Sequence, residues 1–357
     1  MIAPKHRDRL PSRLVIAVAL AAAGAVPVRA EIIWTNYTDG SGLAGNNVFG
    51  VYAIGSTIYA ATTGGLSVST NNGTNWTNYT SGDGLGDTFV RGVYAAGSTI
   101  YAATAGGLSV STDNGTNWTN YTTGNGLGSN SVYGVYAIGS TIYAATTGGL
   151  SVSTNNGTNW TNYTSGDGLG DTVLQGVYAA GSTIYAATAG GLSVSTDNGT
   201  NWTNYTSEDG LGFSIVSNVY ASGSTIYAAT IGGLSISTNN GTNWINYTTG
   251  SGLGNNDVTG VYAEGSTIYA STFGGGLSIS TDNGTNWINY TTGSGVGSDN
   301  MRGVYAAGST IYAATTGGLS VGVVTAVPEP STYCVALAGL ACGGWQMRRR
   351  RLKAKAA

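Results

Sequence analysis

The chain has 357 residues, among them 59 Gly, 23 Tyr, 8 Trp, 2 Cys and one His; 8% are charged and 41% hydrophobic, a mixture unlike that of a disordered chain. Between Glu31 and Ala326 two arginines, Arg91 and Arg302, stand against fourteen carboxylates, a net charge of −12, and that stretch has no His, Lys or Cys. This excludes a Ser-His-Asp or Cys-His nucleophile, a His- or Cys-ligated zinc site and a disulfide framework there, and it disfavours nucleic acid as a partner.

Residues 1–30 read as a secretory signal peptide. A basic segment ending at Arg13 precedes the apolar run Leu14 to Val26, and Val28-Arg29-Ala30 suits signal peptidase, with cleavage expected between Ala30 and Glu31. An uncleaved anchor would need a longer apolar run.

Residues 31–322 are one unit repeated. Trp34, Trp76, Trp118, Trp160, Trp202, Trp244 and Trp287 recur at intervals of 42, 42, 42, 42, 42 and 43 residues, a period typical of repeat architectures. The unit reads Gly50 to Ile54, Ser56 to Thr62, Gly64 to Ser69 and Trp76 to Thr80. Each piece is short, alternating and rich in Val, Ile, Thr, Tyr or Trp, and each is bounded by turn formers. Four strands in each of seven units predict an all-β, seven-bladed β-propeller. The chain opens with a lone Trp strand (Ile32 to Thr38) and ends on the other three (Gly303 to Val321). The N-terminal strand is therefore expected to close the ring. A parallel β-helix is the alternative, though its turns are usually shorter than this repeat.

The turn before each Trp carries a motif, Ser69-Thr-Asn-Asn-Gly-Thr-Asn-Trp76, that resembles the Asp-box or BNR repeat. Its six copies alternate at the third position: Asn71, Asp113, Asn155, Asp197, Asn239, Asp282. The Asx side chain is expected to accept from turn N–H groups, Gly to take positive φ and Trp to cover the hairpin. The resemblance implies a structural role for Asp113, Asp197 and Asp282. The segment 126–132 and the strands after it are similar to two-component-regulator-type propeller repeats.

Residues 50–88 and 134–172 are identical over 39 positions, so most of a blade is copied scaffold. The residue just before the first strand is not copied: Phe49, Arg91, Tyr133, Gln175, Ser217, Thr259 and Arg302. First strands of propellers line the central channel, so these side chains, with Phe49, Arg91, Tyr133, Gln175 and Arg302 foremost, are candidates for binding at its mouth. Drift at an unconstrained position would also explain their variety. The alternative function is a minimal or degenerate Asp-box glycoside hydrolase, with paired carboxyls such as Asp83 with Asp87 or Asp167 with Asp171. The loops that hold them are too short to build a groove, so no catalytic residue, cofactor or metal is assigned.

The C-terminal region carries a second address. A linker (323–332) contains Pro328-Glu329-Pro330. An apolar stretch, 333–347, is expected to be a single transmembrane helix, and the basic segment 348–357 a cytoplasmic tail. This order resembles the PEP-CTERM sorting signal. The resemblance implies cleavage by an exosortase and an exopolysaccharide-producing envelope. The expectation is an exported protein, held at the inner membrane with its propeller in the periplasm and then passed to the cell surface or extracellular matrix. A structural or binding role follows, with exopolysaccharide as a candidate partner. A plain C-terminal anchor is the alternative.

Overall fold

The first complete unit forms β2 (Val48–Ile54), β3 (Thr57–Thr62), β4 (Gly65–Ser69) and β5 (Thr77–Tyr79), after an N-terminal β1 (Val28–Tyr37). β-Branched and aromatic residues fill these strands, while Gly55 and Gly73, at φ of 58° and 85°, make the tight turns that L-residues resist. The sheet order is β2-β3-β4-β5, antiparallel throughout, with Tyr52 opposite Tyr59 and Leu66 opposite Tyr79. A short 3₁₀ turn, Ser81–Asp83, then carries the chain to the inner strand of the next blade, Val90–Ala96. The Asp83 carboxylate caps this turn, accepting from the Thr80 backbone N–H (2.9 Å) and hydroxyl (2.8 Å).

This computed structural model describes residues 28–328, which form seven four-stranded sheets. The fold is the expected seven-bladed propeller. Almost all of the signal segment lies outside the described residues, as do Glu329, Pro330, the apolar stretch 333–347 and the basic tail. Among the described residues no helix is long and apolar enough to cross a membrane.

Seven apolar clusters hold the ring, and each lies between two blades. One joins Tyr59, Leu66 and Val68 of blade 1 to Leu85, Val90 and Ile100 of blade 2. Another joins Tyr312 and Leu319 of blade 7 to Leu43, Val48 and Ile58 of blade 1, so the ring is closed by its own core. A fully buried Ile or Leu contributes about 1.5–3 kcal/mol. The identical Ala60 and Ala61, both completely buried, keep the facing sheets close.

Closure follows the expected route. In the last sheet β1 is the outer strand, beside Gly318–Pro328. Ser320 donates its hydroxyl to Asn36 Oδ1 (2.6 Å), and Asn36 Nδ2 donates to the Gly295 carbonyl (2.9 Å). That last strand runs on to Pro328, past the expected end at Val321, because pairing with β1 extends it.

One expectation about the Asp-box needs correcting. Trp76 does not cover its own hairpin; it packs on Gly42 and edge-to-face on Tyr37 of the neighbouring outer strand, with centroids 5.5 Å apart. The hairpin is covered by Tyr37, whose ring leaves no room for a Cβ at Gly73 and whose hydroxyl donates to the Asn72 carbonyl (3.3 Å). Both contacts cross between blades, so the motif ties neighbours together as well as shaping a turn.

Candidate functional site

Every inner strand starts with the same irregularity. Val48 pairs with Thr62 and Gly50 with Ala61, which leaves Phe49 as an extra residue without a partner across the ladder. The same bulge falls at Arg91, Tyr133, Gln175, Ser217, Thr259 and Arg302. These residues thus lie inside the strand, one position beyond its start, and not ahead of it as the sequence suggested. A bulge re-aims its side chain and frees it from cross-strand packing. All seven line one cavity of about 540 Å³ at the channel mouth. The sequence-derived candidates Phe49, Arg91, Tyr133, Gln175 and Arg302 are therefore brought together.

The mouth has two unlike sides. On one, the Arg91 guanidinium carbon stands 4.9 Å from the Phe89 ring centroid and 4.5 Å from that of Tyr133. That of Arg302 stands 5.2 Å from Phe49 and 5.5 Å from Phe273. Phe49 and Phe89 meet edge-on at 4.9 Å, so one unbroken arc runs Phe273, Arg302, Phe49, Phe89, Arg91, Tyr133. On the other side Gln175, Ser217, Asn218 and Thr259 are polar and uncharged.

The seven inner-strand tyrosines form a collar three residues further along each strand, roughly 10 Å from the bulges. Tyr52, Tyr94, Tyr136, Tyr178, Tyr220, Tyr262 and Tyr305 touch in a closed circle, with neighbouring centroids 4.9–5.1 Å apart. Burial first, and then the neighbouring phenols, push Tyr52, Tyr262 and Tyr305 up to about 12.

Several contributors carried no clear mark in the sequence. Phe89 and Phe273 supply ring faces, and Asn218 stands where the other blades have Gly, its Oδ1 accepting from the Val261 N–H (3.4 Å). Asp257 lies in the field of Arg302: burial raises its carboxyl above the ordinary value, and the guanidinium pulls it back. A weaker signal was present, since all four occupy columns that vary between otherwise copied blades.

The Asp-box residues Asp113, Asp197 and Asp282 sit at the opposite end of the strands, in turns bonded to the inner hairpins, as in Asn114 N–H to the Ser98 carbonyl (2.9 Å). The paired carboxyls considered for hydrolysis are held in their own loops. Asp167 accepts from Thr164 (2.8 and 2.9 Å), while Asp87 and Asp171 accept from the N–H groups of Phe89 and Val173 (2.7 Å each). Among the described residues no group of three or more His, Cys, Asp or Glu is arranged to hold a metal ion. Two further grooves, of about 410 and 160 Å³, lie between blades 2 and 3 and between blades 4 and 5; apart from Tyr and Asn positions common to every blade, they are lined by Thr and aliphatic scaffold.

A family described as the DUF6242 beta propeller domain matches residues 30–167, which hold β1 and blades 1 to 3. No curated protein matches the chain. Among solved structures, the extracellular domain ascribed to a hybrid two-component system of B. thetaiotaomicron has a TM-score of 0.69 at 16% identity, over 83% of this chain and 42% of that one. YCF48 bound to a D1 peptide has 0.62 at 16%, over 83% and 97%. An ancestral GH74 enzyme has 0.58 at 19%, over 77% and 44%. The chain thus spans less than half the length of the first and last of these. At such identities the likeness concerns the propeller fold alone.

Proposed function

We propose that the protein is an exported envelope component whose propeller is a non-enzymatic binding module, and that its channel mouth receives an anionic polysaccharide. The observation that carries this reading is the arc in which each of two guanidiniums is held between aromatic faces. Stacking fixes the guanidinium plane and leaves its N–H edge for carboxylate oxygens, while the flanking rings suit the apolar faces of sugars. Uncharged amides and hydroxyls across the cavity add partners for sugar hydroxyls. The loop carboxylates needed for hydrolysis are engaged in their own turns, which favours binding over the glycosidase alternative. Export rests on the signal-like residues 1–30 and on the PEP-CTERM-like segment from Pro328 onward, with signal peptidase and exosortase as processing partners.

A panel of acidic and neutral exopolysaccharides, presented to the mature protein with and without EDTA, tests the reading. Selective retention by acidic chains is expected, and Arg91→Ala with Arg302→Ala should abolish it. The double variant should stay folded, since each stack contributes about 0.5–1 kcal/mol at a solvent-accessible site. Retention that ignores charge, or that survives the double substitution, would overturn it.

A further inference from the structure

The two arginines are not equivalent. Arg91 donates Nη1 to Ser131 Oγ (3.0 Å) and to the Val132 carbonyl (3.4 Å) in the next blade. Arg302 donates no hydrogen bond to any described residue, and its Nε is buried without an acceptor. By the repeat, Asn47 holds the place relative to Arg302 that Ser131 holds relative to Arg91, one residue before the next inner strand. Asn47 Oδ1 is likewise buried without a donor. One guanidinium is therefore partly committed to the fold, and the other keeps its hydrogen-bonding capacity.

Their spacing sets a second condition. The steps from Arg302 to Phe49 (5.2 Å), Phe49 to Phe89 (4.9 Å) and Phe89 to Arg91 (4.9 Å) keep the two guanidinium carbons within about 15 Å of each other. Two phenyl rings line the arc between them. That reach lets an acidic chain engage both guanidiniums through acidic groups on different sugars.

Resting on the reading above, we propose that the mouth takes an acidic oligosaccharide by two carboxylates on different sugar residues, with Arg302 as the anchor and Arg91 as the second contact. The two contacts act as linked sites: once Arg302 has bound, the second carboxylate is presented to Arg91 at high effective concentration. An acidic peptide meets the charge condition equally, but it brings fewer hydroxyls to the uncharged polar far side of Gln175, Ser217, Asn218 and Thr259.

Calorimetric titration of the mature protein with galacturonate and with oligogalacturonates of increasing length tests this. Affinity should rise by at least about tenfold over the first few sugars and then level off. Arg91→Ala should flatten that rise and weaken monomer binding less than Arg302→Ala does. Arg302→Ala should weaken binding about tenfold or more at every length. If Arg302→Ala fails to fold, Arg302→Lys, which keeps the charge but loses the planar fork, serves in its place and should show a partial loss. A flat length dependence, or equal losses from the two single variants, would sink the two-point arrangement and leave acidic binding standing. No binding of any acidic sugar by the unaltered protein would sink the underlying reading itself. Polyglutamate binding as tightly as oligogalacturonate would overturn the choice of a sugar chain.

Discussion

Phe49, Arg91, Tyr133, Gln175, Ser217, Thr259 and Arg302 owe their variety to a backbone irregularity. As extra residues in their ladders they answer to no cross-strand partner, so the scaffold tolerates Phe, Arg or Ser alike. Sequence variability located the position; it did not reveal that the chain bulges there, because two residues opposite one leave no compositional mark. Nor did it isolate Asp257, whose carboxyl lies in the field of Arg302. A bound acidic ligand would compete with that carboxyl for the same guanidinium. Asp257→Asn should therefore tighten acidic-chain binding about two- to fivefold at low salt, with the gain fading as salt rises. Unchanged or weaker binding in a calorimetric titration would show that Asp257 does not oppose the ligand.

At the scale of the element, the Asp-box hairpin shows why Asn and Asp alternate freely. The Ser111 hydroxyl accepts from the Gly115 N–H (2.8 Å) and donates to Asp113 Oδ1 (2.8 Å), and Asp113 Oδ1 also accepts from the Asn117 N–H (2.8 Å). Asn71 makes the equivalent bonds through its own Oδ1. Asp113 adds one bond that Asn71 does not make, from Asn117 Nδ2 to Oδ2 (2.7 Å). Donation from the Asn117 side chain, then its backbone and Ser111, holds the Asp113 carboxyl below its ordinary value, and Asp197 and Asp282 are lowered in the same way. A lowered carboxyl stabilises the fold at pH values above its unfolded value of 3.8, and that contribution disappears as pH falls through the folded value. The triple change of Asp113, Asp197 and Asp282 to Asn should lower the melting temperature modestly at neutral pH, where the ionised carboxyls contribute, and flatten its decline in acid. Parallel melting curves against pH would refute this. Ser111→Ala should be worse, costing about 1–3 kcal/mol by denaturant unfolding, because the buried Gly115 N–H loses its acceptor. Local chemistry made this turn legible in the sequence. Its lid was not, since Tyr79 reaches Asn114 O (3.2 Å) from the preceding blade.

The whole ring is legible from phase alone: one strand surplus at the start of the chain and one missing at the end identify the closing partner. The mouth is legible only in part. A repeat fixes which residues are equivalent but not which columns converge on the axis, so Phe89 and Phe273 pass for ordinary variation. Closure has a direct test in Asn36, which bonds residues 259 and 284 positions away. Its counterpart Asn120 makes the same two bonds, to Gly84 (2.9 Å) and Ser109 (2.7 Å), inside the continuous chain. In a closed ring, Asn36→Ala and Asn120→Ala should destabilise equally, by about 1–3 kcal/mol each in denaturant unfolding. A neutral Asn36→Ala beside a costly Asn120→Ala would mean that the ends do not meet in solution.

The tyrosine collar also bears on how such a ring can grow. Copying here proceeds by pairs of blades, as the identical spans and the alternating Asn and Asp record, so successive duplications would pass from five to seven to nine. With neighbouring phenols held 4.9 Å apart, a seven-membered circle has a radius of about 5.6 Å, and a nine-membered one about 7.2 Å. The wider circle would open a hole that seven-blade contacts cannot fill, and the wedge-shaped cores between blades would no longer match the angle between neighbours. The size of the hole and the angle fixed by the cores thus act as the counter. A sequence that multiplies readily by duplication is held at seven because that number closes a narrow collar while every core between blades stays filled.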